Sequence, residues 1–178
     1  MHFADLVSVA SALTLARLVI AGALPFLPID MLLPGYLLGL LTDVLDGPIA
    51  RRTGRVTRAG ATLDAWADKA LHVNLAWHLT LLGLIPAWWM LAWFSRELVQ
   101  LPMIPVLIHR WRTLQGEPRT SRWGIATAVA LAFAVCAVLV GRPSVSLTVL
   151  VGVLGLLAGA DYGRIHLSPV LRRRSVGA

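Results

Sequence analysis

Apolar residues run through this chain in blocks close to the roughly 20 residues that a helix needs to cross a bilayer core. Six blocks can be drawn, at Leu6–Leu27, Leu32–Ala50, Ala59–Leu84, Pro86–Ile108, Trp123–Val140 and Val145–Tyr162. Pro and Gly punctuate most joints, in "LPID", "LPG", "GLIP" and "GRPS", and these residues stop or turn a helix. No internal repeat and no low-complexity tract interrupts the series. The pattern predicts an all-α integral membrane protein of six transmembrane helices, built as a single membrane domain over residues 1–178.

The polar positions between the blocks alternate in charge. Arg51, Arg52, Arg55 and Arg58 follow the second block, and Arg110, Arg112, Arg119 and Arg122 follow the fourth. Arg164, Arg172, Arg173 and Arg174 follow the sixth, whereas the opposite joints carry only Arg142. Basic loops stay on the cytoplasmic side, so both termini and the arginine loops are predicted to be cytoplasmic, as an even helix count requires. Trp88 and Trp89 fit one interfacial belt, and Trp111 and Trp123 the other.

Composition agrees with this plan. The chain is 57% hydrophobic, and its mean hydropathy is +0.74, too apolar for a soluble domain. Sixteen basic residues against nine acidic ones give a net charge of +7. In a soluble protein that balance would point to nucleic acid. Here the arginines sit between apolar runs, so they read as topology signals and contacts with anionic membrane lipids, and nucleic acid is not an expected partner. The one cysteine, Cys136, rules out an internal disulfide. No basic stretch precedes the first apolar block, so no cleavable signal is expected.

The acidic residues are unevenly placed. Four of the nine, Asp43, Asp46, Asp64 and Asp68, fall between Leu41 and Lys69. A helical residue advances about 100°, so positions three or four apart share a face. Asp43 and Asp46 therefore form one stripe with Gly47 and Ala50. Asp64 and Asp68 form another, with Gly60 one turn earlier. The short arginine loop makes their two helices antiparallel neighbours whose stripes can face each other at the cytoplasmic end. Pairing with nearby arginines would explain any one of these acids, but not all four at these spacings beside small residues. A charge in the apolar slab costs ~2.5–3.5 kcal/mol or more, and like charges close together repel. A hard divalent cation resolves both problems. Mg²⁺ or Mn²⁺ takes oxygen ligands, and four carboxylates suit two ions, as in two-metal phosphoryl chemistry.

The stretch reads Asp43-x2-Asp46-Gly47-x2-Ala50-Arg51-x8-Gly60-x3-Asp64-x3-Asp68. It resembles, at every fixed position, the signature of the CDP-alcohol phosphatidyltransferase family. The length and six-helix plan are similar to the family's small bacterial members. "LTLARL" (Leu13 to Leu18), Lys69 after the last aspartate, and "SRE" (Ser95 to Glu97) resemble its phosphatidylglycerophosphate synthase branch. The resemblance implies transfer of a phosphatidyl group from CDP-diacylglycerol to an alcohol acceptor with release of CMP, in phospholipid synthesis at a bacterial cytoplasmic membrane. By the same resemblance, Asp43, Asp46 and Asp64 would hold metal and orient the diphosphate. Asp68 would touch metal and act as general base on the acceptor hydroxyl. Gly47, Ala50 and Gly60 would leave room for the cytidine, and Arg51 would neutralise phosphate.

The chain departs from the branch in two places. Where lysines usually surround the start of the fifth helix, it reads "RTSRWGIAT", with Ile125 and Ala126 in place of two cations, and Trp66 stands where proline is common. The acceptor is the element this affects. Arg110, Arg112, Arg119 and Arg122 are candidates for an acceptor-phosphate site, glycerol 3-phosphate being expected first and inositol phosphate second, and they serve equally as topogenic charge. Arg17, inside the first block, is either a functional intramembrane charge or, if the first helix begins as an interfacial stretch, a side chain that snorkels or pairs with the aspartates. Arg96 and Glu97 carry either structural pairs or a polar role near the site. His72 lies one turn past Asp68, within reach of it, although a lone helical histidine is ordinarily packed or hydrogen-bonded. His78 reads as packing, and Lys69 as a snorkelling, substrate-binding or paired cation. Gly35-x3-Gly39 and Gly155-x3-Gly159 read as helix-packing surfaces, with a homodimer as a second use.

Overall fold

The structure, a computed structural model, describes residues 9–53, 58–103 and 122–175, and side chains over 12–45, 63–102 and 122–164. Among the described residues the only regular structure is helical, without a strand. The helices are α1 (Val9–Ala23), α2 (Ile29–Thr53), α3 (Arg58–Leu81), α4 (Trp88–Trp93), α5 (Ser95–Gln100), α6 (Arg122–Leu139) and α7 (Val145–Ser175). Short 3₁₀ turns at Leu24–Phe26 and Leu101–Met103 follow α1 and α5. The chain forms two compact units, one through Leu84 and one from Ile85 onward.

Sequence marks most helix ends. Pro25 falls in the 3₁₀ turn that ends α1, where a missing N–H and a fixed φ disfavour a continuing α-helix. At the end of α3, Leu84 N–H donates to the Leu79 carbonyl and Gly83 N–H to that of Thr80, both at 3.0 Å. At the end of α6, Arg142 N–H donates to Ala137 and Gly141 N–H to Val138 in the same way. Both are Schellman closures, and Gly83 and Gly141, at φ 71° and 75°, occupy the left-handed position that favours glycine. Ser144 then starts α7, its Oγ accepting from Leu147 N–H at 3.3 Å.

The fourth apolar block departs from its expected single helix. It divides at Phe94 into α4 and α5, and Phe94 sits at φ −104°, ψ 17°. No Pro or Gly marks the place. Side chains on either side of it bond to α7. Ser95 Oγ donates to the Gly152 carbonyl at 3.1 Å, and the buried Trp93 indole donates to Thr148 Oγ1 at 3.4 Å. Trp89 and Trp93, one turn apart, are 4% and 2% exposed and lie with their rings 6.2 Å apart. Trp89 is therefore a core residue of the second unit and not a belt residue, whereas Trp88 and Trp123 are about half exposed. Trp111 lies outside the described residues. The last helix also runs past its expected end at Tyr162, to Ser175.

In the first unit, Leu71, Leu75 and Leu79 form an i, i+4 stripe on α3 that is fully buried with Leu24, Leu32 and Tyr36. α1 packs along both α2 and α3, while α2 and α3 touch each other only lightly among the described residues. The second and third helices, expected as antiparallel neighbours whose stripes can face each other, have α1 packed along both. Gly39 is one point of direct approach, since a Cβ there would stand 2.8 Å from Leu71 Cδ2.

In the second unit, α7 packs against α6 and against α4 and α5. Its glycines admit that approach. A Cβ at Gly159 would stand 2.8 Å from Val99, one at Gly152 would stand 3.3 Å from Ala92, and one at Gly155 would collide with Ser95 Oγ. Both small-x3-small patterns thus face side chains of their own chain. Gly155→Ala should destabilise the detergent-solubilised protein by about 1–3 kcal/mol through overpacking, because Ser95 must also abandon Gly152. Gly22→Ala, where nothing lies within 4 Å, is the control and should leave the unfolding midpoint in place. Equal midpoints for the two variants would contradict this packing.

Large apolar side chains cover much of the outside, including Leu15, Val19, Leu37 and Leu41 in the first unit, and Val129, Phe133, Val149 and Leu156 in the second. Arg17, Thr14, Thr42, Ser95, Thr127 and Thr148 are buried. An apolar exterior over a partly polar interior is the reverse of a soluble domain. Arg122–Leu139 and Val145–Arg164 are long and apolar enough to cross a membrane.

Candidate active site

Two helices of the first unit present the acidic residues. Asp43 lies nearly three turns before the end of α2, and Asp64 and Asp68 lie in the first half of α3. Their side chains are 41%, 40% and 47% exposed. These are open carboxylates set in otherwise apolar helices.

Behind them lies a buried cation. Arg17 of α1 is 0% exposed, and its guanidinium reaches both acidic helices. One terminal nitrogen, Nη1, contacts Asp43 Oδ1 at 2.8 Å and Asp64 Oδ1 at 2.6 Å. Nε donates to Thr42 Oγ1 at 3.3 Å, and the Thr42 hydroxyl donates onward to the Gly39 carbonyl at 2.7 Å. The planar guanidinium therefore has a fixed orientation, because its donors diverge in set directions. Of the two readings of Arg17, the structure shows the pairing with the aspartates. Short charge-assisted bonds of this kind are the strong ones, and a buried guanidinium needs them.

Asp68 has a different neighbour. His72 Nδ1 lies 2.9 Å from the Asp68 carbonyl and 3.3 Å from its Oδ1. A carbonyl can only accept, so Nδ1 carries the proton. In the neutral ring Nε2 is then an acceptor, and the Tyr36 hydroxyl lies 3.2 Å from it. The rings of Tyr36 and His72 meet edge-on, with centroids 5.7 Å apart. His72 thus links Asp68 to the wholly buried Tyr36 of α2. It is a hydrogen-bonded histidine that orients the segment carrying Asp68.

The remaining candidates divide by position. Asp46, Gly47, Ala50 and Arg51 lie on the backbone of α2, and Gly60 on that of α3. Their side-chain surroundings lie outside the described residues, as do Arg110, Arg112 and Arg119 entirely. Arg122 is the exposed first residue of α6, and Lys69 is exposed on α3. Arg96 lies against α6, its Cζ 3.6 Å from where a Gly124 Cβ would stand. Two participants were not anticipated from the sequence, Thr42 and Tyr36. Tyr36 lies seven residues before Asp43, on the same helical stripe, and Thr42 is the neighbour of Asp43. Those spacings were the available signals.

Among the described residues, no three acidic, histidine or cysteine side chains gather closely enough to hold a metal ion. The chemistry of the donors nevertheless suits a hard cation. Asp43 and Asp64 point one oxygen each at a single positively charged nitrogen, and about two-fifths of each side chain stays open. Oxygen donors of this type take Mg²⁺ or Mn²⁺ in preference to softer metals.

These features define a class of protein: an all-helical membrane protein that carries a polar carboxylate site on apolar helices. A family model described as CDP-alcohol phosphatidyltransferase matches residues 7–159. The chain belongs to the CDP-alcohol phosphatidyltransferase family, whose enzymes transfer a phosphatidyl group from a CDP-alcohol to an alcohol in phospholipid synthesis. No curated protein matches the chain.

Proposed function

We propose that this enzyme transfers the phosphatidyl group of CDP-diacylglycerol to glycerol 3-phosphate, releasing CMP, as in the phosphatidylglycerophosphate synthase branch. The observation that carries the reading is the convergence of Asp43 and Asp64, from two helices, on one cationic nitrogen, with Asp68 one turn along α3. In this reading Asp43, Asp46, Asp64 and Asp68 hold two Mg²⁺ or Mn²⁺ ions. Bound there, the ions supply charge that stabilises the diphosphate as the bond to CMP breaks. Asp46, Gly47, Ala50, Arg51 and Gly60 form the nucleotide-lipid site, where small residues allow close approach to the cytidine.

Asp68 accepts the proton of the acceptor hydroxyl as that oxygen attacks phosphorus. It works through position, since a carboxylate near cations is a weak base. His72 holds the backbone of Asp68 while Tyr36 fixes the ring. The six-span plan with cytoplasmic termini places this site on the cytoplasmic face of a bacterial membrane, where a nucleotide-activated headgroup is presented. The direct test uses purified protein, CDP-diacylglycerol, Mg²⁺ or Mn²⁺ and a panel of alcohols, following CMP release. Silence with every acceptor would favour a non-catalytic lipid-binding role.

The acceptor reading has its own test. With the usual lysines replaced by Ile125 and Ala126, an acceptor phosphate needs other cations, and Arg110, Arg112, Arg119 and Arg122 are the proposed ones. A charge-assisted contact contributes roughly 1.5–3 kcal/mol. Replacing the true ligand by Ala should therefore raise the acceptor KM about ten- to a hundredfold, with the KM for CDP-diacylglycerol unchanged. Four variants that all behave like the parent would make these arginines topogenic and an unphosphorylated alcohol the better acceptor.

A further inference from the structure

The cation at the carboxylates belongs to the chain itself. Arg17 enters from α1, is wholly buried, and ties one oxygen of Asp43 and one of Asp64 to the same nitrogen. Thr42, itself anchored to Gly39, holds its Nε from the side. α2 and α3 touch each other only lightly among the described residues, and α1 packs along both. Two half-exposed acids without an intervening cation would push their helices apart. Arg17 supplies that cation from the protein side, and the exposed flank of each carboxylate is left to the outside.

We infer that Arg17 is a resident counter-cation, a positioning residue that holds Asp43 and Asp64 together before a divalent ion binds and that opposes the binding of that ion. The inference rests on the metal reading above and adds a consequence to it. A fixed positive charge touching both ligands lowers the affinity for a further cation through Coulomb repulsion, and it makes the metal-free protein stable. The two effects have one origin, so a single substitution should move them in opposite directions.

The test uses the full chain in detergent, with Mn²⁺ binding read by electron paramagnetic resonance and heat unfolding read in EDTA and in Mn²⁺. Arg17→Gln should bind Mn²⁺ at least about tenfold more tightly than the parent, and Arg17→Lys, which keeps the charge, should stay within about threefold. Arg17→Gln should also lose much more of its unfolding midpoint in EDTA than in saturating Mn²⁺, because the bound ion replaces the missing charge. A residue that merely filled space would lower both midpoints equally and leave Mn²⁺ affinity in place, and that result would overturn the inference while the metal reading stands. Failure to recover Arg17→Gln even in Mn²⁺ would overturn it too, since the ion should then support the fold. Absence of saturable Mn²⁺ binding in parent and variant alike would remove the metal reading, and this inference with it.

Discussion

Asp68→Asn is expected to lower CMP release by about 10²–10⁴-fold, the usual contribution of a positioned base, with CDP-diacylglycerol still bound. The amide keeps the shape of the carboxylate and loses the oxygen that accepts a proton. The local structure should survive, because the shorter His72 contact is to the Asp68 backbone carbonyl at 2.9 Å, which the substitution leaves alone. The Tyr36 contact on the other side of the ring is equally untouched. Turnover at saturating acceptor and direct binding of CDP-diacylglycerol, measured on the same preparation, separate the two effects. Turnover near that of the parent would remove Asp68 as the base. Parallel loss of binding would make it a ligand first.

Chelation is expected to have a comparably large effect: CMP release should fall to background in EDTA and return with Mg²⁺ or Mn²⁺. The argument is one of charge. Asp43, Asp64 and Asp68 are each at least 40% exposed, and the diphosphate that must approach them is itself anionic. Arg17 already spends its contacts on two of these acids from the buried side. Further positive charge is needed between carboxylate and phosphate, and hard oxygen donors select the ions named. Full activity in a chelator would refute the two-ion reading.

Much of this architecture was legible in the residues. The glycines at 83 and 141 stand at joints that composition alone marks, and each closes a helix in the structure. The spacing of Asp43, Asp64 and Asp68 placed them on helical stripes, and two of them converge. Tertiary contacts decided what remained. The division at Phe94 has no local breaker, and side chains beside it bond to α7, more than 50 residues away in sequence. Tryptophans favour membrane interfaces, and on that preference alone Trp89 reads as a belt residue. Its i, i+4 relation to Trp93 was the signal that it faced inward. Arg17 could have been solitary or paired on sequence grounds, since nothing local distinguishes a charge that finds a partner 47 residues later from one that does not.

That distance also has a meaning in time. Arg17 is translated before Asp43 and well before Asp64. On the six-span plan proposed here, α1 therefore reaches the bilayer carrying a guanidinium whose acidic partners have not yet been made, at a cost of ~2.5–3.5 kcal/mol near a helix centre. Emergence of α2 brings Asp43, and only emergence of α3 brings Asp64. The first helix thus cannot reach its final environment alone. On that plan, biogenesis of this half of the protein would couple three consecutive insertion events, with the late acid completing the seating of the early helix.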